Sequence, residues 1–297
     1  MRILKQFVRH ALPVIAASVF ALPASQAQES TPLNLKVYNA SAGSFNANAV
    51  ILSGKQEAMV IDTGFTRADA LRIAADVLDT GKTLKTILIS NADPDYYFGA
   101  EVLKEIFPQA RVVSTPAVRE KIQAKLAGKV AFWSPKMGPA NAPRQPIVPE
   151  ALTETTLRVD GEAVELRGTE GILAHRPYVW IPSIGAIAGN VAVLGNLHVW
   201  TADTQQLAER QAWVRQLDEM LALKPRLVVP GHMQAGTALD ERNIRYTREY
   251  LVRYEQASAR HKDSAGLIAE MKAAYPNVAL GMALDIGAKV TTGEMKW

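Results

Sequence analysis

Short apolar runs alternate with polar breaks along this chain, and their period separates strands from helices. Leu33 to Tyr38 alternates apolar and polar residues and predicts a strand. Ala49–Ser53 and Ala58–Ile61 predict a β-hairpin turning near Gly54-Lys55. Ala68 to Leu78 has helical spacing at Leu71, Ala74, Ala75 and Leu78, with Gly81 placed to cap its end. Thr86 to Ser90 reads as a buried strand, Asn91 to Gly99 as a polar loop, and Glu101 to Phe107 as a helix stopped by Pro108. Arg111 to Ser114 predicts another strand, and a helix starts at Pro116 and reaches about Leu126.

Ala131 to Glu150 holds five prolines and little periodicity, which predicts a long surface loop. Beyond it the strand pattern resumes. Thr156–Val159 and Ala163–Arg167 form a hairpin around Asp160-Gly161, and Tyr178–Ile181, Ala186–Ala188 and Val191–Val193 are three short strands. Thr204 to Leu223 is an amphipathic helix, and Arg226 to Val229 is a strand running into Pro230-Gly231-His232. Helices follow over Glu241–Ala259 and Ser264–Ala274. Two groups of strands, each followed by helices, suit two sheets packed face to face with helices outside, in an α/β class.

The first 27 residues break this pattern. Arg2, Lys5 and Arg9 precede an apolar run from Ala11 to about Leu22, and Ser25 and Ala27 stand where a signal peptidase reads small residues. That is a secretory leader, too short in its apolar run for a membrane span. The expected organisation is a leader over residues 1–27 and one domain over residues 28–297, in the periplasm or secreted. The formal charge of +4 falls to about +1 once the three leader cations are removed. No basic cluster interleaved with aromatics stands out, so nucleic acid is not an expected partner. A small molecule is, and no stable membrane span remains once the leader is gone. The sequence has no cysteine, which excludes disulfides, thiolate ligands and a cysteine nucleophile.

Four polar loops follow predicted strands: Asp62-Thr63-Gly64, Asn91–Tyr96, Gly189-Asn190 and Gly231-His232. In this order the chain resembles the metallo-β-lactamase superfamily along nearly all of its length after the leader. The family's main loop reads His-x-His-x-Asp-His before a Gly and a helix; here it reads Asn91-Ala92-Asp93-Pro94-Asp95-Tyr96, with Gly99 following. The resemblance implies a four-layer αββα sandwich and a divalent-metal site that activates water.

The departures from the family pattern change that expectation. Asn91, Asp93 and Tyr96 stand at histidine positions, and Asn190 stands where the family has a bridging aspartate. His175 lies near the position of a further family histidine, and His232 retains the last one. Asparagine is a weak, neutral ligand, and tyrosine binds metal well only when deprotonated. Asp93, Asp95 and His232 remain as an oxygen-rich set for at most one metal ion (Mn, Fe, Mg, Ca or Zn), or none. In the enzymatic reading Asp95 is catalytic and the protein is a metal-dependent hydrolase of unknown substrate. In the other reading the scaffold is a non-catalytic ligand-binding protein. Asn91, Tyr96, Asn190 and His198 are the expected pocket residues in either case. A structural role stays open for each: Asp95 as a cap for the helix near Gly99, Asp93 as the start of an Asp-Pro turn, Asp62 as a loop brace.

Overall fold

The computed structural model describes residues 32–297, so the expected leader lies outside the described residues. Strict alternation on the early strands decides how they pack. Ala49 and Ile51 turn to one side, and Val50 and Leu52 to the other. The strands are β1 (Asn34–Asn39), β2 (Asn48–Ser53), β3 (Glu57–Ile61), β4 (Thr83–Ile89), β5 (Arg111–Ser114) and β6 (Glu150–Ala151), paired in that order in one sheet. The first three run antiparallel and the rest are added in parallel.

The second sheet contains β7 (Thr156–Val159), β8 (Glu162–Arg167), β9 (Tyr178–Ile181) and β10 (Ala186–Ala188), with β12 (Leu227–Val228) added parallel to β10. Asp160 and Gly161 both have positive φ (48° and 87°), as the tight β7–β8 turn requires. A two-stranded ribbon pairs β11 (Leu194–Gly195) with β13 (His232–Met233). Val50, Leu52, Met59, Ile61 and Leu88 of the first sheet meet Val164, Val179, Ile181 and Ala188 of the second in one buried layer.

Helices cover both outer faces. Over the first sheet lie α1 (Arg67–Asp79), the single-turn α2 (Pro94–Tyr97), α3 (Ala100–Ile106) and α4 (Pro116–Met137). Thr66 and Asp69 cap α1 reciprocally. Over the second sheet lie α5 (Leu207–Ala222), α6 (Arg242–Arg260), α7 (Ser264–Ala274) and α8 (Gly281–Thr291). The result is the expected four-layer αββα sandwich. No helix of the described residues is long and apolar enough to cross a membrane.

Three local expectations are corrected. α4 runs to Met137, well past Leu126 and into the stretch read as loop. Leu126, Val130, Trp133 and Met137 recur at helical spacing and pack on the first sheet, so burial carries the helix through Pro135 in its last turn. Val191–Val193 is not a strand, because the Asn190 side chain takes the Val193 amide (2.8 Å) and turns the chain. Helix α8 was not expected; its sequence is rich in small and apolar residues, without a clear polar face.

Candidate functional site

The four loops meet at one edge of the sandwich, and most of their polar side chains are committed to the backbone. Asp62, in the left-handed region (φ 64°), accepts from the Ser90 amide (2.8 Å) and the Ser90 hydroxyl (2.7 Å). It braces the ends of β3 and β4, and burial pushes its carboxyl up to about 8. Asn91 Oδ1 accepts from the Asp93 amide at 2.9 Å, closing an Asx turn. Asn190 donates through Nδ2 to the Val229 carbonyl (3.1 Å) while Oδ1 holds the Val193 amide, so both ends of its amide are used.

Tyr96 is fully buried. Its hydroxyl lies 3.5 Å from the Asn190 carbonyl, and its ring meets the His232 imidazole edge-on with centroids 5.6 Å apart. A Cβ on Gly231 would come within 2.5 Å of the Tyr96 hydroxyl and 2.0 Å of the Asn190 carbonyl, so the late loop passes this ring only as glycine. Burial, with Asp95 and Asp62 close by, drives the phenol well above its ordinary pKa, so it stays protonated.

Two expected residues do face each other. His232 Nε2 lies 3.4 Å from Asp95 Oδ2, both largely buried. The other ring nitrogen, Nδ1, is 2.9 Å from the Phe45 carbonyl. A carbonyl only accepts, so Nδ1 carries a hydrogen. Nε2 and the carboxylate therefore attract each other only with a proton between them. Burial is the largest cause raising the Asp95 carboxyl, to about 6, with His232 opposing it. Asp95 caps neither neighbouring helix: α2 has Asp93 as its N-cap, α3 has Gly99, and neither has a side-chain cap bond. Asp93 turns away to Lys129 Nζ of α4 at 3.4 Å, and burial raises it as well.

Over Asp95 and His232 opens a cavity of about 180 Å³. Its floor includes Asp93, Asp95, Lys129, Asp203 and His232, and its walls are Phe45, Phe65, Phe132, Trp133, Trp200 and Trp297. Trp200 and Trp297 both donate their indole N–H to Asp203, at 2.6 and 3.0 Å. Phe132, Met282 and Trp297 leave an exposed apolar rim. None of the four expected pocket residues lines it. Asn91, Tyr96 and Asn190 lie beneath its floor, where their polar atoms meet backbone. His198 is buried with Nδ1 2.9 Å from the Tyr250 hydroxyl, packed on the helices of the second sheet. Of the wall residues, only Trp133 carried a sequence signal, through its helical register with Leu126, Val130 and Met137. A wider, shallower hollow of about 550 Å³ lies between β7–β9 and α5 and holds none of the loop residues.

These side chains do not fit a dinuclear metal site. Among the described residues no group of three or more histidines and carboxylates is positioned to hold a metal ion. Asn91 and Asn190 spend their oxygens on amides, and Tyr96 cannot offer a phenolate. Asp95 and His232 remain as a facing pair, with Asp93 drawn off by Lys129.

The profile described as the metallo-beta-lactamase superfamily matches residues 42–186. That span runs from before β2 through β9 and ends before Asn190 and His232. Similar solved structures include a metallo-beta-lactamase family protein from Thermus thermophilus, 18% identical, with a TM-score of 0.59 over 89% of this chain and 93% of that one. A metallo-beta-lactamase from Pontibacter korlensis is 18% identical, with a TM-score of 0.51 over 77% and 97%. The DIM-1 metallo-beta-lactamase is 16% identical, with a TM-score of 0.52 over 76% and 99%. No curated protein sequence matches. The chain has the metallo-β-lactamase fold, as the order of its loops implied.

Proposed function

We propose that this chain is an exported single-domain protein, residues 28–297 after removal of the leader, that binds a small apolar molecule in the aromatic cavity over Asp95 and His232. The observation that carries this reading is a division of labour. The loop positions that would serve a second metal are spent on backbone bonds, while six aromatic rings enclose a cavity directly above the one reactive pair left. Aromatic walls with a few convergent polar groups are the ordinary makeup of a small-molecule site.

The experiment combines metal analysis with ligand binding. After incubation with Zn, Mn, Fe, Mg or Ca and desalting, the purified protein is expected to keep less than about a tenth of an equivalent of any of them. Apolar aromatic probes are expected to quench its tryptophan fluorescence saturably, and Trp133→Ala to weaken them roughly tenfold or more. Absence of saturable quenching by any probe would overturn the reading. N-terminal sequencing of exported protein is expected to begin at Gln28.

A second reading rests on the 3.4 Å approach of Asp95 to His232. It keeps the protein as a hydrolase with at most one metal on Asp93, Asp95 and His232. One equivalent of metal, lost in both Asp95→Ala and His232→Ala, would favour it over the first.

A further inference from the structure

Each carboxylate lining the cavity has a partner of its own: Asp93 has Lys129, Asp95 has His232, and Asp203 has two indole N–H groups. Among the described residues, Arg176 is a buried charge with no such partner. Its residue is 3% exposed, and its Nε and Nη2 atoms are buried with no hydrogen-bond acceptor. The guanidinium rests on the face of Trp213, 4.3 Å from the ring centroid. Its backbone is fixed by the bond from Gln216 to the Arg176 carbonyl (2.9 Å). A buried guanidinium left without acceptors carries a desolvation cost of several kcal/mol, and nothing in the aromatic cavity requires one.

Further cations stand near Arg176. Lys121 and Lys125 stand one turn apart on α4, on the run that continues to Lys129, and among the described residues neither makes an ion pair. Lys121 and His175 are half-buried, and Lys125 is exposed, so the cluster reaches solvent. Burial and the neighbouring Lys121 and Arg176 charges hold His175 neutral, at about 4. Burial also lowers Lys121, and Lys125 lowers it further. Asp203 and Asp93 exert only a longer-range pull on Arg176, without a direct bond.

We propose that Arg176 is the floor of an oxyanion-binding site between α4 and the 171–176 segment, with Lys121, Lys125 and His175 at its mouth. The ligand is a carboxylate or phosphate group that accepts from Nε and Nη2, the side of the guanidinium that suits bidentate recognition. Arg176 does not itself line the aromatic cavity, and the test uses no apolar ligand of that cavity.

Acetate and inorganic phosphate are titrated separately into the full-length mature protein, with ionic strength held constant by chloride. Thermal unfolding and tryptophan fluorescence are followed, since Trp213 lies under the guanidinium. At least one of the two is expected to bind saturably and to raise the unfolding midpoint by roughly 5 °C at a hundredfold excess over its Kd. The preferred one identifies the headgroup. Arg176→Met is expected to abolish the effect and, in anion-free buffer, to be no less stable than the native protein, since an unpaired buried charge is exchanged for an apolar side chain. Should that variant fail to fold, Lys121→Met is expected to weaken the same anion about fivefold. No saturable shift with either anion, or an equal shift in Arg176→Met or Lys121→Met, overturns the proposal.

Discussion

His232 touches Asp95 with the one ring nitrogen that the Phe45 carbonyl leaves free, 3.4 Å from Oδ2. The contact sets an imidazole against a carboxyl on the floor of an aromatic cavity. Two residues far apart in sequence are brought together by the parallel β11–β13 ribbon and the tight passage of Gly231 past Tyr96.

Asp95 makes a stability prediction with a definite sign. Its carboxyl is raised from the ordinary value to about 6, mainly by burial. A group that holds its proton more tightly when folded stabilises the fold at low pH, and that contribution fades as pH rises from about 4 through about 6. Asp95→Asn is therefore expected to match the native protein near pH 4 and exceed it near pH 8, by an amount on the order of 2 kcal/mol. Urea unfolding at the two pH values checks this. A variant that loses stability equally at both would make Asp95 a structural loop residue.

The layers of the fold were legible because burial imposes a period, and the alternation at Ala49–Leu52 and the spacing along α1 survive any local exception. The end of α4 was hidden by Pro135, although Leu126, Val130, Trp133 and Met137 already carried its register. The Asp95–His232 neighbourhood was legible from loop order. Asn91, Tyr96 and Asn190 were not, because a polar residue at a loop tip reads alike whether it faces a pocket or the backbone. The cavity walls are drawn from segments as distant as Phe45, Trp133, Trp200 and Trp297, so only the tertiary fold assembles them.

Asn190 is expected to resist the one-atom change that would restore a family carboxylate. Asn190→Asp puts an oxygen against the Val229 carbonyl, where Nδ2 now donates at 3.1 Å, in a fully buried position. The expected loss is about 3 kcal/mol, read from the urea midpoint at pH 7.5. An unchanged midpoint would mean that the loop can re-form around a carboxylate.

Asp62 is predicted to limit stability at alkaline pH. Its carboxyl, raised to about 8 by burial, is mostly protonated at neutrality. Stability tied to that proton is full below about 4 and is lost as pH climbs through 8. Asp62→Asn keeps an acceptor for the Ser90 amide and suits the left-handed backbone at φ 64°. Its melting temperature is expected to fall less between pH 6 and pH 9 than that of the native protein. Parallel curves across that range would rule Asp62 out as the source.

Glu101 is predicted to hold the proline-rich segment after α4 in place. Its buried carboxylate accepts from Arg67 Nη1 (2.7 Å), from the Arg144 amide (2.9 Å) and from the Gln145 amide. Glu101 belongs to α3 and Arg67 to α1, but the segment from residue 138 to 149 has no regular structure of its own until it reaches β6. Glu101→Ala leaves the Arg67 guanidinium short of a partner and frees two amides, at an expected cost of about 3 kcal/mol. The local consequence is sharper than the global one. Trypsin acting on the folded protein is expected to cut after Arg144 at least about tenfold faster in the variant, because cleavage follows the population of the opened segment. Mass analysis of early digestion products locates the cut. If the global midpoint falls while the Arg144 bond stays as protected as in the native protein, Glu101 stabilises α3 and α1 but does not pin the segment.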